Sequence, residues 1–215
     1  MFEELQGREV SSIGESAFRN YAVMVPLVEK DGEICVLFEK RSMKLDRQPG
    51  EISFPGGAWD EGEDSQENAV RETMEELLIG RDQIHVIAQM DTLFTLRDKV
   101  SVYLCQLCGY QMTFSKDETE EVFLVPLRFF METPADIYMN DLYIKPDPKL
   151  PFDKIPGGEN YGWRGGRSRL YFYYYKDYVI WGMTACIMNH VVEILREEAG
   201  LTVEKLDSLQ GSCGD

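Results

Sequence analysis

Positive charge is scarce in this sequence. Against 38 aspartates and glutamates stand 22 lysines and arginines, giving a formal net charge of −16, and there are only 2 histidines. Such a chain repels nucleic acid and anionic membrane unless a local basic patch intervenes, so neither is an expected partner. A phosphate-bearing substrate is repelled as well. An enzyme of this charge that acts on phosphates therefore needs bound cations and a few well-placed Arg or Lys side chains. No stretch approaches the apolar length of a membrane span. Residues 1–10 are charged and have no apolar h-region, so a signal peptide is not expected there. Five cysteines are present, Cys35, Cys105, Cys108, Cys186 and Cys213. An odd number in a chain of this size argues against a disulfide framework and for a reducing, cytoplasmic setting. Cys105 and Cys108 form a C-x-x-C, but the run around them reads as a strand, where residues three apart point to opposite faces. They are expected to be plain structural cysteines. Internal repeats and clear linkers are missing, and residues 210–215 read as a frayed end.

What remains is an ordered chain, 44% hydrophobic and 215 residues long, enough to bury one core in a single domain spanning residues 1–215. Two apolar runs, 21–28 and 34–40, flank Asp31-Gly32 and predict a hairpin. Residues 42–62 form a loop containing Phe54-Pro55-Gly56-Gly57. A helix is predicted over 64–79, with Asp64 as N-cap and Glu67 placed for a capping box. Val70, Thr73, Met74 and Leu77 share one face of it. Further strands are expected over 84–95, 99–107, 121–125 and 170–178. In the last, alternate aromatic rings should face core and surface. A second amphipathic helix over 184–199 is apolar at Ile187, Met188, Val191, Val192 and Leu195; Trp181 is expected to anchor packing before it and Thr184 to cap it. The interval 135–169, dense in Pro, Gly and charge, reads as a long loop or an inserted hairpin, a candidate for a substrate-shaping lid or an interface and equally for a floppy excursion. Strands separated by helices yet joined by hairpins indicate a mixed-sheet α/β domain.

Four acids around the first helix carry the functional reading: Glu63, Glu72, Glu75 and Glu76. The last three stand at i, i+3 and i+4, on one side of the helix within about a turn. Like charges at that spacing oppose the helix by roughly 0.2–0.5 kcal/mol per pair, a cost that disappears when a divalent cation sits between them. Carboxylate oxygens are the ligands that Mg²⁺ and Mn²⁺ prefer, and Mg²⁺ usually shares its sites with substrate phosphates. Taken alone, such a cluster is more often a solvated acidic face; its context decides.

That context resembles the Nudix box, Gly-x5-Glu-x7-Arg-Glu-U-x-Glu-Glu-x-Gly-U, where U is a bulky aliphatic residue. Gly57, Glu63, Arg71, Glu72, Glu75, Glu76 and Ile79 stand in register. Seven matches of nine arise by chance on the order of 10⁻⁷ per starting position. Thr73 replaces the aliphatic residue, and Leu78 replaces the glycine that normally ends the helix; Gly80 is expected to supply the left-handed stop instead. The resemblance implies a Nudix fold, an α/β/α sandwich around a mixed β-sheet. It implies Mg²⁺ or Mn²⁺ held by Glu72, Glu75 and Glu76, with the Gly56 carbonyl as a further ligand and Glu63 in support. It implies that Arg71 holds the glutamates by charge-assisted bonds. Glu76 is one candidate general base, and Glu118, Glu120 and Glu121 are others.

Upstream, Arg41, Ser42, Gly50 and Phe54–Gly57 resemble the signature of the coenzyme A branch of that family, except that Asp46 occupies the place of its second arginine and Arg47 follows one residue later. Lys40, Arg41, Lys44 and Arg47 form a basic cluster in an acidic chain, suited to the diphosphate and 3′-phosphate of coenzyme A. The resemblance thus implies a small-molecule substrate, coenzyme A or an acyl-CoA, bound by Arg41, Ser42, Lys44 and Arg47. It also allows a homodimer. Two rivals stay open: hydrolysis of another nucleoside diphosphate derivative such as ADP-ribose, NADH or a dinucleoside polyphosphate, and a non-catalytic Nudix-fold binding module. RNA decapping is disfavoured by the net charge.

Overall fold

The structure, a computed structural model, describes Gly7 and residues 13–60 and 62–208. Most of the charged N-terminal segment 1–10, the tail 210–215 and Cys213 lie outside the described residues.

Chain order runs β1 (Arg19–Lys30), β2 (Glu33–Arg41), β3 (Ile52–Ser53), β4 (Gly56–Ala58), α1 (Ser65–Leu77), β5 (Ile84–Gln89), β6 (Leu93–Phe94), β7 (Asp98–Leu107), β8 (Thr119–Pro126), α2 (Leu127–Glu132), β9 (Asp136–Leu142), β10 (Gly166–Tyr175), β11 (Tyr178–Trp181), α3 (Gly182–Glu197) and α4 (Val203–Ser208). The large sheet follows the order β3-β2-β1-β7-β5, with β4 on β1, β6 on β7 and β8 on β2. β1 and β7 run parallel while the other pairings are antiparallel, so the sheet is mixed. The β1–β2 hairpin turns at Asp31 and Gly32, both at positive φ (54° and 80°), as a two-residue turn between right-twisted strands requires.

Strict alternation divides the core into two layers. Ala22 and Met24 of β1, Leu37 of β2, and Tyr103, Cys105 and Leu107 of β7 face α1, against Ala69, Val70 and Leu77. Val25, Val36, Phe38, Val100, Val102 and Leu104 face the other way, onto Phe130 of α2 and Ile187, Met188, Val191 and Val192 of α3. Helices therefore cover both faces, which makes the α/β/α sandwich. Phe38 is fully buried and stacks on Phe54 and Phe123 at centroid distances of 5.0 and 5.6 Å. Truncating a ring so placed costs about 3–5 kcal/mol.

A three-stranded sheet, β11-β10-β9, joins the second layer. β9 and β10 form an antiparallel arm from Asp136–Phe172 to Leu142–Gly166, with residues 143–165 connecting its ends. Tyr173 is buried on the core side, while Phe172 and Tyr174 stack with each other on the opposite side. Trp181 stacks on Phe172 there and is 40% exposed, so it is not the packing anchor expected. Thr184 does not cap α3 either; its hydroxyl donates to the carbonyl of Ile52 at 2.9 Å, fastening the start of α3 to β3.

Three further expectations are corrected. The run 84–95 is not one strand: a bulge between Val86 and Ala88 and a break after Gln89 separate β5 from β6, and the linking Asp91 turns to His190 of α3 at 2.8 Å. Gly80 does not stop α1, since its φ is −81°; Leu78 itself adopts the left-handed conformation at φ 55°, ψ 48°. Cys108 lies one residue beyond β7 and is disulfide-bonded, whereas Cys35, Cys105 and Cys186 carry free thiols. Among the described residues, no helix is long and apolar enough to cross a membrane.

Candidate functional site

The site is built on α1. Asp64 caps its N-terminus, accepting from the backbone N–H groups of Gln66 and Glu67 at 2.9 and 3.0 Å, which fixes where the helix starts and hence which residues share a face. Glu67 does not close the capping box; its carboxylate lies 3.8 Å from Arg81. Thr73, at the box position that is usually aliphatic, is buried, and its hydroxyl donates to the Ala69 carbonyl at 2.7 Å. The polar group is therefore satisfied within the helix while the methyl packs.

On the opposite side, Arg71 donates to Glu72 Oε1 at 2.6 Å and to Glu75 Oε1 at 3.1 Å. Those two hydrogen bonds, Glu75 first, hold the guanidinium above its ordinary pKa. Glu76 points the other way and is only 3% exposed. Its Oε2 accepts the Gly56 N–H at 2.8 Å, which pins the glycine-rich turn to the helix. Gly57 packs so closely on α1 that a Cβ there would lie 2.6 Å from Glu72 Cδ. Gly56, at φ 145°, would drive a Cβ to 2.2 Å from the Ala22 carbonyl oxygen. Gly56 is needed for the turn to lie against the β1 backbone, and Gly57 leaves room for the Glu72 carboxylate.

Behind Glu76 stands Glu39 of β2, which is 1% exposed. Ser53 Oγ and Thr119 Oγ1 each donate to it at 3.2 Å. Burial pushes the pKa of both acids up. For Glu76 the charge of Glu39 raises it further, the Gly56 N–H opposes, and Glu72 and Glu118 raise it again. For Glu39 the Ser53 and Thr119 hydroxyls and the Arg41 charge oppose the rise, and Glu118 adds to it. The arrangement is a crowd of carboxyl groups, partly out of water, with Arg71 paired to Glu72 and Glu75.

As the side chains stand, the described residues hold no group of three or more His, Cys, Asp or Glu side chains converged on one metal position. The reason is visible in the bonds: Glu72 and Glu75 have turned to Arg71, and Glu76 to Gly56. The donor set nevertheless fits a hard divalent cation, being carboxylate throughout. Glu75, with its side chain 56% exposed, is free to rotate.

A family model described as NUDIX domain matches residues 18–144, more than half of the chain. The chain belongs to the Nudix family. Nudix hydrolases act on diphosphate bonds and generally use divalent metals. This chain is 33% identical over 114 residues to the peroxisomal coenzyme A diphosphatase of Mus musculus, covering 52% of this chain and 48% of that protein. It is 32% identical over 114 residues to Nudix hydrolase 3 of Caenorhabditis elegans, covering 49% and 47%. It is 27% identical over 201 residues to the chloroplastic Nudix hydrolase 22 of Arabidopsis thaliana, covering 89% and 60%. The chain thus spans about half the length of the first two relatives. Among solved structures, an Ap4A hydrolase of C. elegans in a binary complex aligns with a TM-score of 0.43 at 26% identity, over 50% of this chain and 80% of its own.

Within the Nudix box, the structure brings Gly56, Gly57, Arg71, Glu72, Glu75 and Glu76 together. Glu63 stays apart: it is exposed, and its carboxylate accepts the Asp60 N–H at 3.0 Å in its own loop. In the basic stretch, Lys40 lies 3.7 Å from Glu120, and Lys44 and Arg47 are exposed without an ion pair among the described residues. Ser42 is buried, with its N–H on the Glu118 carbonyl and its Oγ accepting the Lys44 N–H. Arg41 buries its Nε without an acceptor. Of the three candidate base acids, Glu120 and Glu121 lie in β8, where Glu121 accepts the Tyr178 hydroxyl at 2.5 Å and Glu120 faces Lys40; Glu118, just before the strand, is exposed and close enough to influence Glu39 and Glu76. Glu39 escaped the sequence reading. Its signal was parity: in β2 it follows the core-facing Leu37 by two residues, which puts an acid on a buried face.

Proposed function

We propose that this protein hydrolyses the diphosphate bond of coenzyme A or an acyl-CoA, using Mg²⁺ or Mn²⁺. Water is added across the anhydride, giving 3′,5′-ADP and 4′-phosphopantetheine or its acylated form. The observation that carries the reading is the packing of Glu72 and Glu76 of α1 against the Gly56-Gly57 turn, with Arg71 linking Glu72 to Glu75. Glu72, Glu75, Glu76 and the Gly56 carbonyl would hold the metal, and Glu63 would support it from its loop. When bound, metal ions neutralise diphosphate charge and lower the pKa of the attacking water.

The chain's own residues do the rest. Arg71 orients Glu72 and Glu75. Lys44 and Arg47, free of ion pairs among the described residues, meet substrate phosphates, and the unpaired Nε of Arg41 offers a buried donor beside them. Glu118 takes the proton from water, because Glu120 and Glu121 are already engaged. The coenzyme A assignment draws support from the Arg41-Ser42 to Gly57 signature and from the name of the mouse relative. A cytoplasmic location is the matching proposal, supported by the free thiols of Cys35, Cys105 and Cys186; the Cys108 disulfide points the other way, and a thiol count on freshly lysed cells decides between them.

The test is a substrate panel: coenzyme A, acetyl-CoA, ADP-ribose, NADH and diadenosine polyphosphates with Mg²⁺ or Mn²⁺, products resolved by mass. Turnover of coenzyme A or acetyl-CoA to the two products above is expected. Cleavage of ADP-ribose without coenzyme A turnover replaces the substrate, and no turnover of any compound replaces hydrolysis with binding.

A further inference from the structure

We infer that Glu39 is a positioning residue of the carboxylate centre: from behind Glu76 it places a second buried negative charge there and raises the centre's affinity for a divalent cation. The inference rests on the metal-binding reading of α1 proposed above.

A carboxylate near the end of β2, flanked by β3 and β8 and 1% exposed, is costly unless a cation or full hydrogen bonding compensates it. Glu39 has two neutral donors, Ser53 Oγ and Thr119 Oγ1, both at 3.2 Å, and no salt bridge to a Lys or Arg among the described residues. Its position is shared with Glu76. Ser53, which holds Glu39, lies three residues before Gly56, which holds the Glu76 carboxylate. Thr119, which also holds Glu39, lies four residues after Ser115, whose N–H donates to the Glu76 carbonyl at 2.7 Å. The same two segments therefore bracket both acids.

A purely structural role does not require the charge. The backbone of Glu39 already pairs with Ser53 of β3 and with Val122 of β8, so the strands are joined whatever the side chain. Glutamine would accept from one hydroxyl through its Oε1 and donate to the other through its Nε2, without desolvating an anion. The carboxylate has a use only if positive charge arrives, and the adjoining glutamates of α1 are where a cation would be held.

The test compares wild type with Glu39→Gln by Mn²⁺ titration calorimetry and by melting temperature with and without saturating Mn²⁺. Expected are Mn²⁺ binding weakened at least tenfold, a smaller Mn²⁺-induced rise in melting temperature, and a metal-free melting temperature equal to or above wild type. Unchanged or tighter Mn²⁺ binding overturns the inference, and so does a lowered metal-free melting temperature with intact binding, which marks a structural acceptor. Should Glu39→Gln fail to fold, the pair Ser53→Ala and Thr119→Val loosens the carboxylate while keeping its charge. Those variants should each weaken Mn²⁺ binding about threefold, and unaltered binding in both overturns the inference. A wild-type protein that binds no Mn²⁺ at millimolar concentration removes the underlying metal reading, an outcome distinct from a wild type that binds and a variant that binds equally well.

Discussion

Arg71 bridges Glu72 and Glu75, donating to one at 2.6 Å through one guanidinium nitrogen and to the other at 3.1 Å through its second. Two carboxylates three residues apart repel each other, and a single side chain of the same helix holds them in register. The pairs are half exposed, so they contribute little to stability, about 0.2–1 kcal/mol each at most. Their value lies in orientation.

Arg71→Ala should therefore leave the melting temperature nearly unchanged while lowering kcat/KM for the hydrolysed substrate by roughly 10–100-fold, because an oriented ligand becomes a mobile one. The metal dependence of the rate should shift to higher Mg²⁺. Steady-state kinetics across a Mg²⁺ series, with a thermal melt of the same sample, checks both halves. A large drop in melting temperature would contradict the orientation role.

Leu78 ends α1 in the left-handed conformation, at φ 55°, with 59% of its surface exposed. A side chain there costs roughly 1–2 kcal/mol against the preceding carbonyl, and little packing offsets it. Leu78→Gly should stabilise the protein by about 1 kcal/mol and raise the melting temperature by about 2–4 °C. Differential scanning calorimetry measures it. A lower melting temperature would contradict a strained helix stop at Leu78.

His190 joins two elements, with Nε2 on Asp91 at 2.8 Å and Nδ1 on Glu193 at 3.2 Å. The Asp91 hydrogen bond, assisted by Glu193 and opposed by burial, raises its pKa above 6.5. A raised folded value means that the proton is held more tightly by the folded protein. The stabilisation is fully present below about pH 6.5 and is lost as pH rises through the folded value. The cluster is exposed enough that the effect stays below about 1 kcal/mol. Urea melts at a series of pH values should show this slope in wild type and a flatter line in His190→Gln; equal slopes would contradict a stabilising role for the His190–Asp91 pair.

Among the described residues, Glu118 has no side-chain hydrogen bond or ion pair, and Glu118→Gln should lower kcat about 10²–10⁴-fold while Mn²⁺ binding persists. Glu120→Gln and Glu121→Gln should remain within about tenfold of wild type. A reversed order would move the base to the acid that fails.

What the sequence disclosed and what it hid follow from how each feature is encoded. The α1 face was legible because i, i+3, i+4 spacing is a property of one helix, and Asp64 announced its start. The β1–β2 hairpin was legible in Asp31-Gly32. β3 and β4 were not, being two and three residues long and held by pairing with distant strands. β9 was not, because all but Leu142 of its side chains are exposed and no alternation marks it. The break at Met90–Thr92 depends on His190, 99 residues away from Asp91. Glu39 was hidden for the same reason: its meaning comes from Glu76, Ser53 and Thr119, which only the fold assembles. Leu78 shows the converse, a local rule for helix stops overridden because the chain must turn there whichever residue stands at that position.

In the proposed reaction the glutamates of α1 hold a divalent cation against a diphosphate. The most direct measurement is the rate of coenzyme A hydrolysis at saturating Mg²⁺ for wild type, Glu75→Gln and Glu76→Gln. Wild type should release 3′,5′-ADP, and each variant should be slower by at least about 10²-fold. Glu76→Gln should also match or exceed the wild-type melting temperature without metal, since it removes a buried charge and keeps an acceptor for Gly56. Variants that hydrolyse coenzyme A at near wild-type rate would contradict the claim.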